Sequence, residues 1–222
     1  MNGANGTMTK EAAREMISGA LMSDDPQAFF RSVDDHHPCA PYLAPLLALR
    51  GVPQNPEYHP EGDAFEHTMQ VLERAAREKS RAQQPHMFMM SALTHDLGKA
   101  ECTRRNEKGA WASIGHDTVG AKIAFRWLQS LGYPVEEAMY SNNMCRLHMR
   151  VHQCYRDHMK LKKTEKLFME AYYPEDLILL AACDTGGKGD GIAVEEEAYL
   201  RERLRECRLR RNKTGKTAPK EE

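Results

Sequence analysis

Ten of the 222 residues are histidine, the side chain that ligates metals most often and titrates nearest neutral pH. Two of them, His67 and His95, join two carboxylates in the chain order His67, His95-Asp96, Asp184. Mixed nitrogen and carboxylate donors suit a divalent cation that keeps positions open for water or substrate. Each of the four falls inside a helical pattern or at its end. Helices that converge on one ion hold their ligands rigidly. Neighbouring residues on a helix point about 100° apart. His95 and Asp96 can still reach one ion if the pair sits at the pocket floor near a helix end, which Gly98 supplies. Both are costly to bury unpartnered in the largely apolar run from Met89 to Leu97. Alone, the pair reads equally well as a cap or surface pair at a helix end.

The elements that must position these side chains are helical almost throughout. Thr9 caps a helix from Lys10 to about Met22, and Asp25-Pro26 reads as N-cap and first residue of a second. Leu43, Leu46, Leu47 and Leu49 suggest a third, short one. Residues 51–62 hold Pro53, Pro56 and Pro60 and form a loop or turn series. Asp63, with Glu66 three residues on, gives a capping-box-like start to a helix carrying Phe65, Met69 and Leu72. Pro85 opens a helix that stops at Gly98. Residues 99–115 fit a loop or short hairpin. Further helices span about 117–131, 135–153 and 162–172. An apolar helix opens at Pro174 and breaks at Gly186-Gly187, and a charged one covers about 193–211. The division expected is 1–24 lead helix, 25–62 small helical lead-in, 63–190 catalytic domain and 191–222 charged tail.

Hydrophobic residues make up 41% and charged residues 28%, a folded-domain composition. The net charge of −1 argues against nucleic-acid binding by bulk charge alone. No apolar run approaches the roughly 18–20 residues of a membrane span, and the first residues lack a signal core. Six cysteines without a C-x-x-C pair are expected as reduced thiols in a cytoplasmic protein. From Arg201 to Lys220 the tail carries nine basic and two acidic residues. That is either a solvated helix or a contact for phosphate backbone.

Longer motifs add a resemblance. They are Asp25-Pro26-Gln27-Ala28-Phe29-Phe30-Arg31, Leu49-Arg50-Gly51-Val52-Pro53-Gln54, His59-Pro60-Glu61-Gly62-Asp63, and Glu66-His67-Thr68. Next come Leu93-Thr94-His95-Asp96-Leu97-Gly98-Lys99, Gly115-His116-Asp117, and the segment from Asp176-Leu177 to Asp184. In this order, over about residues 25–190, they resemble the HD superfamily of metal-dependent phosphohydrolases. Within it they resemble the C-terminal half of bacterial CCA-adding tRNA nucleotidyltransferases. The nucleotidyltransferase head of those enzymes has no counterpart motif here, so the expectation is the phosphohydrolase half and not CCA addition.

The resemblance implies an all-α, HD-domain helical bundle with His67, His95, Asp96 and Asp184 as ligands of a divalent ion (Mn, Ni, Co, Fe or Mg), one or two per site. It implies that His116 and the His148/His152 pair face the same pocket, to bind phosphate or to complete a second metal site. His148 and His152, four apart, share a helix face, and the residues leave open which turns inward. Asp96 is also a candidate acceptor of the water's proton. Lys99 and His116 are candidates to stabilise phosphate charge, and Lys188 to approach a phosphate. The expected substrates are nucleotide or RNA 3′-end phosphoesters: 2′,3′-cyclic phosphate, 2′-phosphate or phosphomonoester. The competing expectation is a non-catalytic RNA- or partner-binding module that uses the basic final helix. His59 matches the family's loop, with a structural role open. His36, His37, His86 and His158 have no such support. Thr214-Gly215-Lys216-Thr217 lacks the upstream glycine of a P-loop, because position 210 is arginine.

Overall fold

The computed structural model describes residues 8–186 and 190–214. The chain folds as an all-α protein carrying one two-residue-per-strand hairpin among the described residues. Its lead helices are α1 (Lys10–Met22), α2 (Pro26–Ser32) and α3 (Ala44–Leu47), the last preceded by a 3-10 turn. Thr9 and Asp25 cap the first two, each accepting from a backbone N–H three residues on.

α4 (Ala64–Glu78) begins at Asp63. One Asp63 oxygen accepts from Glu66 N at 2.9 Å and the other from Gly51 N at 2.6 Å. A single carboxylate thus caps the helix and closes the proline-rich loop onto its start. The reciprocal half of a capping box does not form, because the Glu66 carboxylate pairs with Arg31 instead. The buried face of α4 carries His67 and Thr68 among Phe65, Met69 and Leu72.

α5 (Pro85–Thr94) is buried from Phe88 onward. Its N-terminus is capped from outside. The fully buried Asp176 carboxylate accepts from Gln83 N, Gln84 N and the Tyr140 hydroxyl. The helix ends at Thr94, earlier than the expected stop at Gly98, and residues 95–98 form a turn before α6 (Lys99–Cys102). That turn is pressed against α7 (His116–Ser130). A Cβ on Gly98 would lie 2.1 Å from His116 O, and one on Gly120 would lie 2.8 Å from Gly98 N. Leaving the helix lets His95 and Asp96 point into one place, which an uninterrupted helix would not.

In the span 99–115, read as a loop or short hairpin, the first residues instead form α6 and a short hairpin follows before α7. β1 (Arg104–Arg105) pairs antiparallel with β2 (Trp111–Ala112), with Arg105 opposite Trp111. α8 (Val135–Arg156) packs along α7. It is followed by α9 (Leu161–Glu170), α10 (Pro174–Thr185) and α11 (Asp190–Thr214). One hydrophobic core runs from Ala13 on α1 to Cys207 on α11, and the six cysteines are free thiols. Among the described residues no helix is long and apolar enough to cross a membrane.

Candidate metal centre

Three histidines on three different segments are oriented by one local device. His95 Nδ1 donates to Ala92 O (2.9 Å), His116 Nδ1 to Ser113 O (2.6 Å), and His148 Nδ1 to Cys145 O (2.6 Å). Each partner lies three residues back. A carbonyl can only accept, so the proton sits on Nδ1, and the Nε2 lone pair faces inward when the ring is neutral. Two more histidines are held by carboxylates: His67 Nδ1 by Glu61 at 2.7 Å and His152 Nδ1 by Glu196 at 2.9 Å. Both members of the α8 pair therefore turn inward. α4, the turn after α5, α7 and α8 thus each deliver Nε2 to the same region.

Two carboxylates meet those nitrogens. Asp96 Oδ2 lies 3.2 Å from His95 Nε2 and 3.5 Å from His67 Nε2. Asp96 Oδ1 lies 3.2 Å from His116 Nε2 and 3.7 Å from His148 Nε2. Asp184 Oδ1 is 2.9 Å from His67 Nε2 and 4.0 Å from His95 Nε2, and its Oδ2 is 2.8 Å from His152 Nε2. Donors about 2.1 Å from one ion are spaced roughly 3–4 Å from one another, so these separations suit a shared cation. Two ligand sets share Asp96: His67 with His95, and His116 with His148.

Two observations test whether a cation fits. His95 Nε2 and Asp96 Oδ2 are buried and lack a hydrogen bond. Lys99 Nζ stands 2.6 Å from that oxygen as a charge contact and donates to Gln54 Oε1 at 2.7 Å. Secondly, His116 Nε2 and His148 Nε2 lie 3.1 Å apart. With both Nδ1 atoms committed as donors, two neutral rings would oppose lone pairs, and a proton or a cation must reconcile them. The donor set fits a divalent metal.

The electrostatics describe the protonated alternative to that metal. Burial pushes the Asp96 carboxyl up, but Lys99 and His95 outweigh it and hold it well below the usual range. Burial likewise opposes ionisation of Asp184, and hydrogen bonds from His152 and His67 hold it well down. His67 and His116 run the other way. Burial lowers each, yet Asp184 and Glu61 raise His67 and Asp96 raises His116. His148 is pushed down to about 3 by burial and by the neighbouring His116. The proton between the two rings therefore resides on His116.

His116, His148, His152, Asp96, Asp184 and Lys99 line a cavity of about 570 Å³. His67 and His95 are buried, at 2% and 0% exposure. Lys188 lies outside the described residues. His59 approaches the centre only indirectly, through the Glu61 carboxylate at 2.9 Å and a ring contact with His67. His86 pairs with Glu137 and Ser18 away from it. Sequence reasoning missed Glu61, Glu196 and Gln54. Glu61 was visible within the His-Pro-Glu-Gly-Asp motif. Glu196 sits in an acidic run, Glu195-Glu196-Glu197, that looks solvated. It is 2% exposed and also accepts from the Thr185 hydroxyl.

Residues 64–186 match the HD domain family model, and the chain belongs to that family. Among curated relatives it is similar to the Multifunctional CCA protein of Stenotrophomonas maltophilia (strain K279a). The two are 35% identical over 196 residues, 86% of this chain and 46% of the relative. It is also similar to the Multifunctional CCA protein of Alkalilimnicola ehrlichii, at 28% identity over 206 residues, 90% of this chain and 47% of the relative. The chain spans about half the length of these curated relatives.

Proposed function

We propose that this chain is a divalent-metal-dependent phosphohydrolase acting on nucleotide or RNA-end phosphoesters, in the set 2′,3′-cyclic phosphate, 2′-phosphate and phosphomonoester. The observation that carries this is the shared orientation of five histidines, each fixed at Nδ1 and aimed by Nε2 at Asp96 or Asp184. We assign His67, His95, Asp96 and Asp184 to one ion and Asp96, His116 and His148 to a second. A bound divalent ion would polarise a phosphoryl oxygen and acidify a water. Mixed nitrogen and oxygen donors favour Mn, Ni, Co or Fe over Mg.

The chain's own groups do the rest. Asp96 bridges the two sets, and its strongly acidic carboxyl makes it a ligand more than a base. Lys99 balances the Asp96 charge and, with His116 and His152 on the cavity wall, favours an anionic substrate. The similarity to proteins named Multifunctional CCA protein supports an RNA 3′ end among the substrates.

The non-catalytic RNA-binding reading rests on the basic residues of α11. Five of its arginines, Arg201, Arg203, Arg205, Arg208 and Arg210, are paired with carboxylates of the chain itself. That weakens a phosphate-backbone role for them.

The test is elemental analysis of the purified protein, then a phosphatase and cyclic phosphodiesterase panel across metals, for the native chain and His95→Ala/Asp96→Asn. The double variant is expected to lose metal and hydrolysis while keeping its helical circular dichroism. Full activity in it overturns the reading. RNA retention that ignores both the metal ligands and hydrolysis would favour the binding module.

A further inference from the structure

The cavity lined by Asp96, His116 and Asp184 also takes in three large side chains that the hydrolytic chemistry leaves unused: Trp111, Ile114 and Tyr58. None belongs to the hydrophobic core. Ile114 is 85% exposed and Tyr58 52%. Single exposed apolar residues are ordinary. Two exposed large side chains and a half-buried indole on one cavity whose other walls are histidine, carboxylate and lysine ask for a ligand with two unlike ends.

Trp111 is the best defined of the three. It is half-buried on β2, and its cross-strand neighbour Arg105 lays its guanidinium 4.5 Å from the ring centroid. Arg105 Nη1 also donates to Gly109 O at 2.6 Å, so the cation is anchored by the hairpin turn. The turn is stiffened in turn by Asn106, whose Oδ1 accepts from Lys108 N and Ala110 N. The guanidinium occupies one indole face and orients the ring, so a base would stack on the opposite face. Every nucleobase has a π-face to offer such a surface, whatever its sequence.

We propose that β2 and the residues after it form a nucleobase subsite: the base stacks on Trp111, flanked by Ile114 and Tyr58, while its phosphoester reaches the histidine–aspartate cluster. This deepens the phosphohydrolase reading and rests on it for the phosphate end. A free nucleotide and the 3′-terminal residue of an RNA share this chemistry, and the experiment separates them.

The chain has two tryptophans. The other, Trp127, is buried and donates to Tyr42 O. In Trp127→Phe protein, Trp111 is therefore the sole indole reporter. Three probes are titrated: adenosine 2′,3′-cyclic phosphate, ribose cyclic phosphate without a base, and a short RNA ending in a cyclic phosphate. Saturable quenching by a base-bearing probe and none by the base-free one is expected. Quenching by the RNA alone assigns the subsite to RNA ends, and quenching by both admits free nucleotides. No quenching, or equal quenching by the base-free probe, overturns the proposal.

Equilibrium dialysis of the same probes against native and Trp111→Ala protein gives a second reading that does not require the Trp127 substitution. In kinetics, Trp111→Ala should lower kcat/KM for the base-bearing substrate, relative to the base-free one, by roughly tenfold and mainly through KM. Trp111→Phe should recover part of that loss. An unchanged ratio counts against the subsite alone. Absence of hydrolysis of either substrate by the native protein counts against the phosphohydrolase reading, while the fluorescence result still decides the subsite.

Discussion

His116 Nε2 and His148 Nε2 face each other at 3.1 Å, each ring having already committed its other nitrogen to a backbone carbonyl. Two acceptors held that close by two helices repel unless a positive charge lies between them. His148→Gln should therefore lower the number of bound ions while sparing the one assigned to His67 and His95. Asp96→Asn, which touches both sets, should reduce both. Metal-to-protein ratios by elemental analysis decide this, and an unchanged ratio in both variants would count against the shared-carboxylate arrangement.

Metal uptake should release protons. In the metal-free protein His67 donates to both Glu61 and Asp184, and its pKa is raised above the ordinary 6.5, as is that of His116. An ion takes either Nε2 only after that proton leaves. Apparent affinity should climb with pH through the raised values. The same shifts stabilise the metal-free fold fully below the unfolded imidazole pKa, and that contribution fades as pH rises through the folded one. Calorimetric Mn titrations in buffers of different ionisation enthalpy report the protons directly. A pH-independent affinity without proton release would sink the assignment.

Glu196 acts through His152. Its buried carboxylate fixes the Nδ1 proton, and with Asp184 it lifts the ring, which burial alone would depress, up to about 10. Outer carboxylates of this kind typically set ligand orientation, and their loss lowers metal affinity about 10–100-fold. Glu61→Gln, whose partner His67 is an assigned ligand, is expected in that range, measured by competition with a chelator. Glu196→Gln acts one step further out, through His152 on Asp184, and should lower affinity less. Native affinity in both variants would show these carboxylates to be incidental.

The contact of Gly98 with α7 leaves no room for a side chain. Gly98→Ala should destabilise the protein by about 3 kcal/mol, since overpacking against backbone has no flexible atom to yield. Thermal unfolding should shift down by roughly 2–4 °C per kcal/mol at this size. Because the obstructing atom is His116 O, metal content should fall as well. A native melting temperature would contradict the packing described.

Local signals in the chain were enough to place the longer helices, while the short α6 (Lys99–Cys102) lies in a span read as loop or hairpin. Thr9, Asp25 and Asp63 are caps whose hydrogen bonds involve neighbours three residues away, so their effect is written in short stretches of sequence. The span 99–115 was legible only as a loop or short hairpin, and the pairing of Arg105 with Trp111 had no clear signal of its own. The boundary after α5 was not legible. Gly98 reads as a helix stop, but α5 already ends at Thr94, and the turn that follows is pressed at Gly98 against His116 and Gly120 of α7, distant in sequence and adjacent in space.

The residue types at the centre were likewise apparent from composition and motif order, because metal chemistry requires particular donors and those donors are rare in apolar runs. Which nitrogen faces inward, and that both His148 and His152 do, depends on carbonyls, carboxylates and helix crossings that no spacing rule contains. Glu196 makes the point most sharply. One-dimensional pattern marks it as a solvated acid, and only the packing of α11 against α8 and α10 removes it from water and makes it a partner of His152. Donor chemistry is a property of side chains and survives in a string of letters. Orientation and burial arise from the sum of distant contacts, and so exist only once the chain has folded.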